Sequence, residues 1–323
     1  MLSLSSFLPY KDVFMETRRN EIELVEDSFV AVGYFDGVHR GHAAVISAAV
    51  SGAKKAGAKS VVLSFDMSRF RADEKGEGDL VAFSEREELI EKTGANNLYI
   101  LDFEKIMDMD GGWFVKEILS DRLHAKRVFC GEDFRFSKGR GCGAKELFEL
   151  CRVFDIEVDV VSAISDGGVI STTRIKELVK NGSVAEAKKL LGHALCYGGE
   201  VERGKSLAYR LGFPTANVPF PKGVVPPRFG VYWTRTHVDN LTYDSITNIG
   251  IRPTFEDDRR IMIETYLLDY EGDLYGKPIK AELVEFLRDE KKFEGEGELK
   301  AEVERNIAEI RKKLHLSKKE KLN

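Results

Sequence analysis

The chain changes its pattern once, and that change sets the architecture. As far as residue 191, short β-rich apolar runs alternate with longer segments whose apolar residues recur at helical spacing. The runs are Phe29–Phe35, Ser60–Phe65, Asn97–Leu101, Arg127–Cys130 and Glu157–Ser162. Between and after them, helices are predicted at His42–Ala56, Glu85–Glu91, Gly112–Leu123, Ala144–Val153, Thr173–Lys180 and Val184–Leu191. Ser183-x-x-Glu186 reads as a capping box opening the last of these. Such alternation predicts βαβ units, a parallel sheet, and ligands at the carboxyl ends of its strands. After Gly192 the strand-like runs Ala194–Glu202, Gly230–Val238, Thr242–Asn248, Ile261–Asp269 and Ile279–Leu287 follow one another, parted by Pro, Gly and Asp clusters. Strands joined only by turns predict an antiparallel β-barrel. The apolar stripe Leu299, Val303, Ile307, Ile310 and Leu314 predicts a final helix lying against it. The expected division is residues 1–188 and 189–323.

A length of 323 residues with 43% hydrophobic content suits two domains with cores of their own. The net charge of −5 argues against a nucleic-acid binder, and no run approaches the ~18 apolar residues of a membrane span. The start, Met1–Leu8, lacks the basic region of a signal peptide, so a cytoplasmic protein is expected. The four cysteines show no Cys-x-x-Cys spacing, which leaves no sign of a zinc site or disulfide framework.

The first strand ends in Gly33-Tyr34-Phe35-Asp36-Gly37-Val38-His39-Arg40-Gly41-His42. A glycine-rich turn followed by a helix start offers free N–H groups and the positive end of the helix dipole, and the imidazoles add donors. That combination suits a nucleoside triphosphate. His39-x-Gly41-His42 resembles the signature of the nucleotidylyltransferase superfamily, and the fuller string resembles the FAD synthetase half of the bacterial bifunctional riboflavin kinase/FAD synthetase family. Two further segments carry the likeness. Gly131-Glu132-Asp133-Phe134-Arg135-Phe136 resembles the family's flavin-side loop, and Ile170-Ser171-Thr172-Thr173-Arg174-Ile175 resembles a mobile triphosphate-holding segment. In the second domain, Leu211-Gly212-Phe213-Pro214-Thr215-Ala216-Asn217, then Asn248-Ile249-Gly250, Pro253-Thr254-Phe255 and Glu264, resemble the riboflavin kinase domain. The likeness runs from about Phe29 to Leu314.

The resemblance implies a Rossmann-like nucleotidyltransferase domain with a parallel sheet, followed by a riboflavin kinase barrel. It implies phosphorylation of riboflavin to FMN with ATP and Mg²⁺, then adenylylation of FMN to FAD with release of pyrophosphate. Glu264 matches the general base of the kinase, with Gly212, Pro214, Thr215 and Asn217 at the ATP phosphates and Thr215 and Asn217 also at Mg²⁺. His39, His42 and Arg174 match the adenylylation machinery, and Gly33, Phe35, Asp36, Gly41, Ser171, Thr172 and Thr173 match its ATP contacts. Gly131, Asp133, Phe134, Arg135 and Arg288 fall on the flavin side. The implied partners are riboflavin, FMN, FAD, ATP, ADP and pyrophosphate, with no tightly bound organic cofactor and a monomer or transient oligomer. One departure stands out. Where the family usually carries Pro-His-Pro after the second strand, this chain reads Ser64-Phe65-Asp66-Met67-Ser68-Arg69. Arg69 is the residue there able to grip phosphate, and Asp66 is expected to point away or pair with it. Two other readings stay open at this level. In one the kinase alone is active beside a regulatory nucleotide- or flavin-binding domain; in the other the first domain adenylylates a different acceptor.

Overall fold

The computed structural model describes residues 15–24, 26–67, 78–203, 213–252 and 260–320. The chain divides into two compact units, one drawn from Met1–Phe70 with Arg86–Ile164, the other from Arg71–Glu85 with Ser165–Asn323.

The first unit is a six-stranded parallel sheet. Its strands are β1 (Glu16–Arg19), β2 (Ser28–Val32), β3 (Lys59–Asp66), β4 (Asn97–Asp102), β5 (Ala125–Gly131) and β8 (Glu157–Val161), in the order β1-β4-β3-β2-β5-β8. A two-stranded hairpin, β6 (Arg135–Phe136) with β7 (Cys142–Gly143), follows β5. The helices in order are α1 (Arg40–Ala56), α2 (Phe83–Glu91), the short α3 (Phe103–Ile106) and α4 (Gly111–Trp113), and α5 (Ala144–Arg152). Helix α4 runs on into a π-helix over Phe114–Arg122, within the span expected to be one ordinary helix. The central strands β2 and β3 are buried along nearly their whole length, as apolar runs of this kind require when both faces are covered. From β2 the chain order runs one way through β3 and β4 and the other way through β5 and β8. The reversal lies between β2 and β5, and the crevice at their carboxyl ends is where such sheets take ligands. The turn holding His39 follows β2, and the Gly131–Phe136 loop follows β5.

The main part of the second unit, from Ser165 on, begins with α6 (Thr172–Lys180) and α7 (Val184–Leu191). Ser183 precedes α7 without a side-chain cap, so the expected capping box is not formed; its carbonyl receives the Glu186 and Ala187 N–H groups instead. An antiparallel sheet of six strands follows: β9 (Cys196–Glu200), β10 (Ala216–Pro219), β11 (Gly230–Val238), β12 (Leu241–Arg252), β13 (Arg260–Leu267) and β14 (Pro278–Arg288), in the order β10-β13-β12-β11-β14-β9. A bridge from Glu202 to Asn217 draws its two edges together, giving the expected barrel. Alternate residues divide the wall. One set points into the barrel and includes the fully buried hydroxyls Thr234, Ser245, Thr247 and Thr265, hydrogen-bonded across β11, β12 and β13 at 2.7–2.9 Å. The other set points outward, where Val231, Trp233 and Ile246 pack with Val303, Ile307 and the fully buried Ile310 of α8 (Glu296–Glu320).

Candidate active sites

The kinase-like motif residues meet on the outward face of the barrel. Register places Asn217 of β10 and Asn248 of β12 directly opposite Glu264 of β13, one on each side. Directly opposed residues share a face, so three polar side chains stand in a row across three strands. They line a cavity of about 380 Å³ whose far wall is α8 and the segment before it, through Phe293, Leu299, Val303 and Asn306. Asn217 is 5% exposed, its amide donates to the Thr215 carbonyl at 3.0 Å, and its side-chain oxygen accepts from Arg252 Nη1 at 3.2 Å. Arg252 Nη1 also stands 3.8 Å from Glu264 Oε1. Burial pushes the Glu264 carboxyl up, Arg252 pulls it back, and the neighbouring Glu290 adds to the rise. Glu290 itself accepts from Asn248 at 3.2 Å.

Arg288 lies on the same cavity and ties β14 to α8, with its Nε donating to Asn306 at 3.2 Å and standing 3.1 Å from Glu302. Glu302 also pairs with Lys291 at 3.1 Å and with Arg305. Pro214 is exposed and Thr215 half-buried. Gly212, Arg69 and the segment Pro253-Thr254-Phe255 lie outside the described residues.

In the first unit the strand β2 stops at Val32, and Gly33 to Val38 form the turn. Phe35 (φ 55°), Gly37 (φ 68°) and Val38 (φ 39°) all adopt left-handed backbone, two of them with side chains that disfavour it. A Cβ on Gly33 would meet the Phe35 ring at 2.9 Å, and one on Gly41 would meet the His39 ring at 3.1 Å, so a side chain at either position would press on the ring beside it. Asp36 is buried within the turn. His39 caps α1: its Nδ1 accepts from the His42 N–H at 3.3 Å, which leaves the proton of the neutral ring on Nε2. The two imidazoles stack at 3.6 Å between centroids, and Phe35 meets His42 edge-on at 5.4 Å. Burial pushes His39 down to about 4 against the pull of Asp133, and pushes His42 well down, helped by His39 and Arg86. Both rings are therefore neutral at pH 7. Neither ring brings a positive charge to the turn at that pH.

The loop after β5 reaches this turn, since the Asp133 charge is felt at His39. Phe134 is buried and stacks on Phe136 at 5.6 Å, within the core of the unit, while Arg135 is exposed and donates to the Phe134 carbonyl at 2.9 Å. A Cβ on Gly131 would stand 3.0 Å from Asp133 Oδ1. Asp66 pairs with Arg19 of β1 at 3.1 Å. In the second unit, Ser171 caps α6 by accepting from the Arg174 N–H at 3.3 Å. Thr172 and Thr173 sit in the helix's first turn, and Arg174 donates to the Gly168 carbonyl at 2.9 Å.

Comparison with known proteins settles the lineage. Residues 21–174 match the family model described as FAD synthetase, and residues 191–314 match the one described as riboflavin kinase. A "Bifunctional riboflavin kinase/FMN adenylyltransferase" of Listeria monocytogenes is 32% identical over 87% of this chain and 91% of its own length. The chain belongs to the bifunctional riboflavin kinase/FMN adenylyltransferase family. A relative of the same description from Escherichia coli K12 is 30% identical over 91% of this chain and 95% of its own. A solved structure from Streptococcus pneumoniae, titled a macrolide-efflux protein, superposes with a TM-score of 0.80 at 28% identity, covering 90% of this chain and 97% of that one. Among the described residues, no helix of this family member is long and apolar enough to cross a membrane.

Two residues escaped the sequence reading. Arg252 lies just beyond the strand expected to end at Asn248, and its charge faces the carboxylate. Arg86 sits in a helix read only from its apolar stripe, yet the residue is 4% exposed. A guanidinium on a helix gives no periodic signal that it will be buried.

Proposed function

We propose that the Glu264 row is the riboflavin kinase site and that the His39–His42 turn is the FMN adenylyltransferase site. The chain phosphorylates riboflavin to FMN and adenylylates FMN to FAD, both at the expense of ATP. The observation that carries the kinase assignment is the carboxylate of Glu264 set between Asn217 and Asn248 on a cavity with apolar walls. As the ribityl 5′-hydroxyl attacks the γ-phosphorus, its proton passes to Glu264, the bond to the β–γ bridging oxygen breaks, and ADP leaves.

The donor set at Thr215 and Asn217 is neutral oxygen, which suits Mg²⁺ completed by phosphates and water. Among the described residues no group of three or more His, Cys, Asp or Glu side chains is placed to hold a metal. The ion would neutralise charge on the ATP phosphates. Arg252, bonded to Asn217 and beside Glu264, keeps the base ionised and the amide oriented. Arg288 and α8 form the flavin side of the cavity.

In adenylylation, an FMN phosphate oxygen attacks the α-phosphorus of a second ATP and the bond to the β-phosphate oxygen breaks, releasing pyrophosphate. His39 and His42 donate to the triphosphate at the amino end of α1, where the helix dipole also acts. Gly33, Phe35, Asp36 and Gly41 shape the turn and the Gly131–Arg135 loop takes the flavin; Ser171, Thr172, Thr173 and Arg174 keep the phosphate-contact role that the family resemblance implies. Dependence on ATP at both steps fits a cytoplasmic enzyme.

Chromatography of products after incubating the protein with riboflavin, ATP and Mg²⁺ tests the reading. FAD is expected. His39→Ala with His42→Ala should cut conversion of FMN to FAD by ~10²–10³-fold, the usual cost of losing a preorganised donor, while FMN still forms from riboflavin. If both activities fall together in a variant that melts cooperatively, the two-site assignment is wrong.

A further inference from the structure

The turn that carries the two histidines is strained, and the side chain bracing it comes from a different part of the first unit. Arg86 of α2 donates from Nη1 to the Tyr34 carbonyl at 3.1 Å and from Nη2 to the Phe65 carbonyl at 3.3 Å. Its guanidinium also lies 4.7 Å from the centre of the Tyr34 ring. Ser64, itself buried, donates to the same Tyr34 carbonyl at 2.9 Å. Tyr34 immediately precedes Phe35, the first of the left-handed residues. Phe65 belongs to the strand end where this chain lacks the family's Pro-His-Pro. One planar fork therefore holds the carboxyl end of β3 to the residue that opens the phosphate turn. Only arginine offers two parallel donors in fixed geometry on a charge that persists at any pH the protein meets.

We propose that Arg86 is a positioning residue for FMN adenylylation: its guanidinium fork tethers the β2 turn to the end of β3 and so fixes where His39 and His42 stand. The proposal rests on the assignment of the His39–His42 turn to adenylylation. It also accounts for electrostatics that the histidines leave unfilled. Both rings are neutral, and Arg86 is the fixed cation whose charge reaches His42. The other groups acting on the pair are the His39 ring and the Asp36 backbone at His42, and Asp133 and the residue's own backbone at His39.

Arg86→Lys separates tether from charge, because one ammonium keeps the cation and cannot span both carbonyls. Its kcat for FMN adenylylation should fall ~10–10²-fold, the scale expected when reacting groups are displaced by about 1 Å. The His42 imidazole resonance should keep its wild-type titration. Arg86→Met should lose at least as much activity, and His42 should now titrate at higher pH because the cation opposing its protonation is gone. Cooperative urea unfolding of the same variants, followed by Trp113 fluorescence in a Trp233→Phe background, reports that the first unit is folded. An Arg86→Lys variant with wild-type kcat and KM overturns the tether, whether or not the Met variant folds. His39→Ala run in parallel separates the two claims. If it spares FAD formation, the site assignment fails; if it abolishes FAD formation while both Arg86 variants work normally, the tether alone fails.

Discussion

Glu264 shows how a single carboxylate is tuned by its place on a wall. Burial raises its pKa and Arg252, 3.8 Å away, lowers it. A general base works only when ionised, so kinase activity should rise with pH through that pKa, and a raised pKa moves this acid limb toward neutrality. Arg252→Met removes the opposing cation. The limb in kcat against pH should then shift further up, and a limb that stays in place or moves down would exclude Arg252 as the tuning group. Glu264→Gln keeps shape and hydrogen bonding without basicity, and FMN formation should fall ~10²–10⁴-fold while supplied FMN is still adenylylated. A loss under about threefold would remove Glu264 from the base role. The motif made this residue legible, because the order Thr215, Asn217, Asn248, Glu264 is visible in the sequence. Its register partners were not. Opposition of Asn217 and Asn248 across β13 depends on strand pairing, a long-range property that no local pattern carries.

At the level of elements, the two sheets and the terminal helix were legible, and what escaped has physical causes. Strand β1, Glu-Thr-Arg-Arg, is exposed along its length and carries no apolar side chain, so it offers no apolar alternation to read. The barrel interior hides Thr234, Ser245, Thr247 and Thr265, polar by letter but mutually hydrogen-bonded, which blurs the inside–outside rhythm. The apolar run read as Phe29–Phe35 breaks at Val32, because left-handed backbone and glycine spacing turn the last residues into the loop that carries His39. Helix α8 was legible from its stripe, but its anchor was not: Glu302 gathers Arg288, Lys291 and Arg305 beside the cavity. Glu302→Gln weakens three charge-assisted contacts at once. The wall formed by α8 should loosen, raising the KM for riboflavin roughly three- to tenfold, a range kept modest because solvent screens the exposed partners. The KM for ATP should hold. Equal rises in both would mean that α8 supports the barrel generally instead of shaping the flavin side.

For the whole molecule, two separate cores mean two separate stabilities, and acid should act on them unequally. His39 takes up a proton near 6.5 when unfolded and only near 4 when folded, because burial disfavours the imidazolium. Between those values the unfolded chain binds more protons, so stability falls as pH drops from about 6.5 to about 4. At ~1.4 kcal/mol per pKa unit, His39 alone accounts for about 3 kcal/mol across that window, and the depressed His42 acts in the same direction. The two tryptophans let the effect be assigned. Trp113 packs against the core of the first unit and Trp233 against that of the second. In a Trp233→Phe background, urea titrations followed by Trp113 fluorescence should show the first unit losing at least about 2–3 kcal/mol between pH 7 and pH 4.5, the His39 share alone. Adding His39→Gln and His42→Gln should remove most of that loss, since glutamine carries no proton to exchange. If the acid loss persists undiminished in the glutamine variant, the histidines are not held neutral by the fold, and their role as uncharged donors at the phosphate turn falls with it.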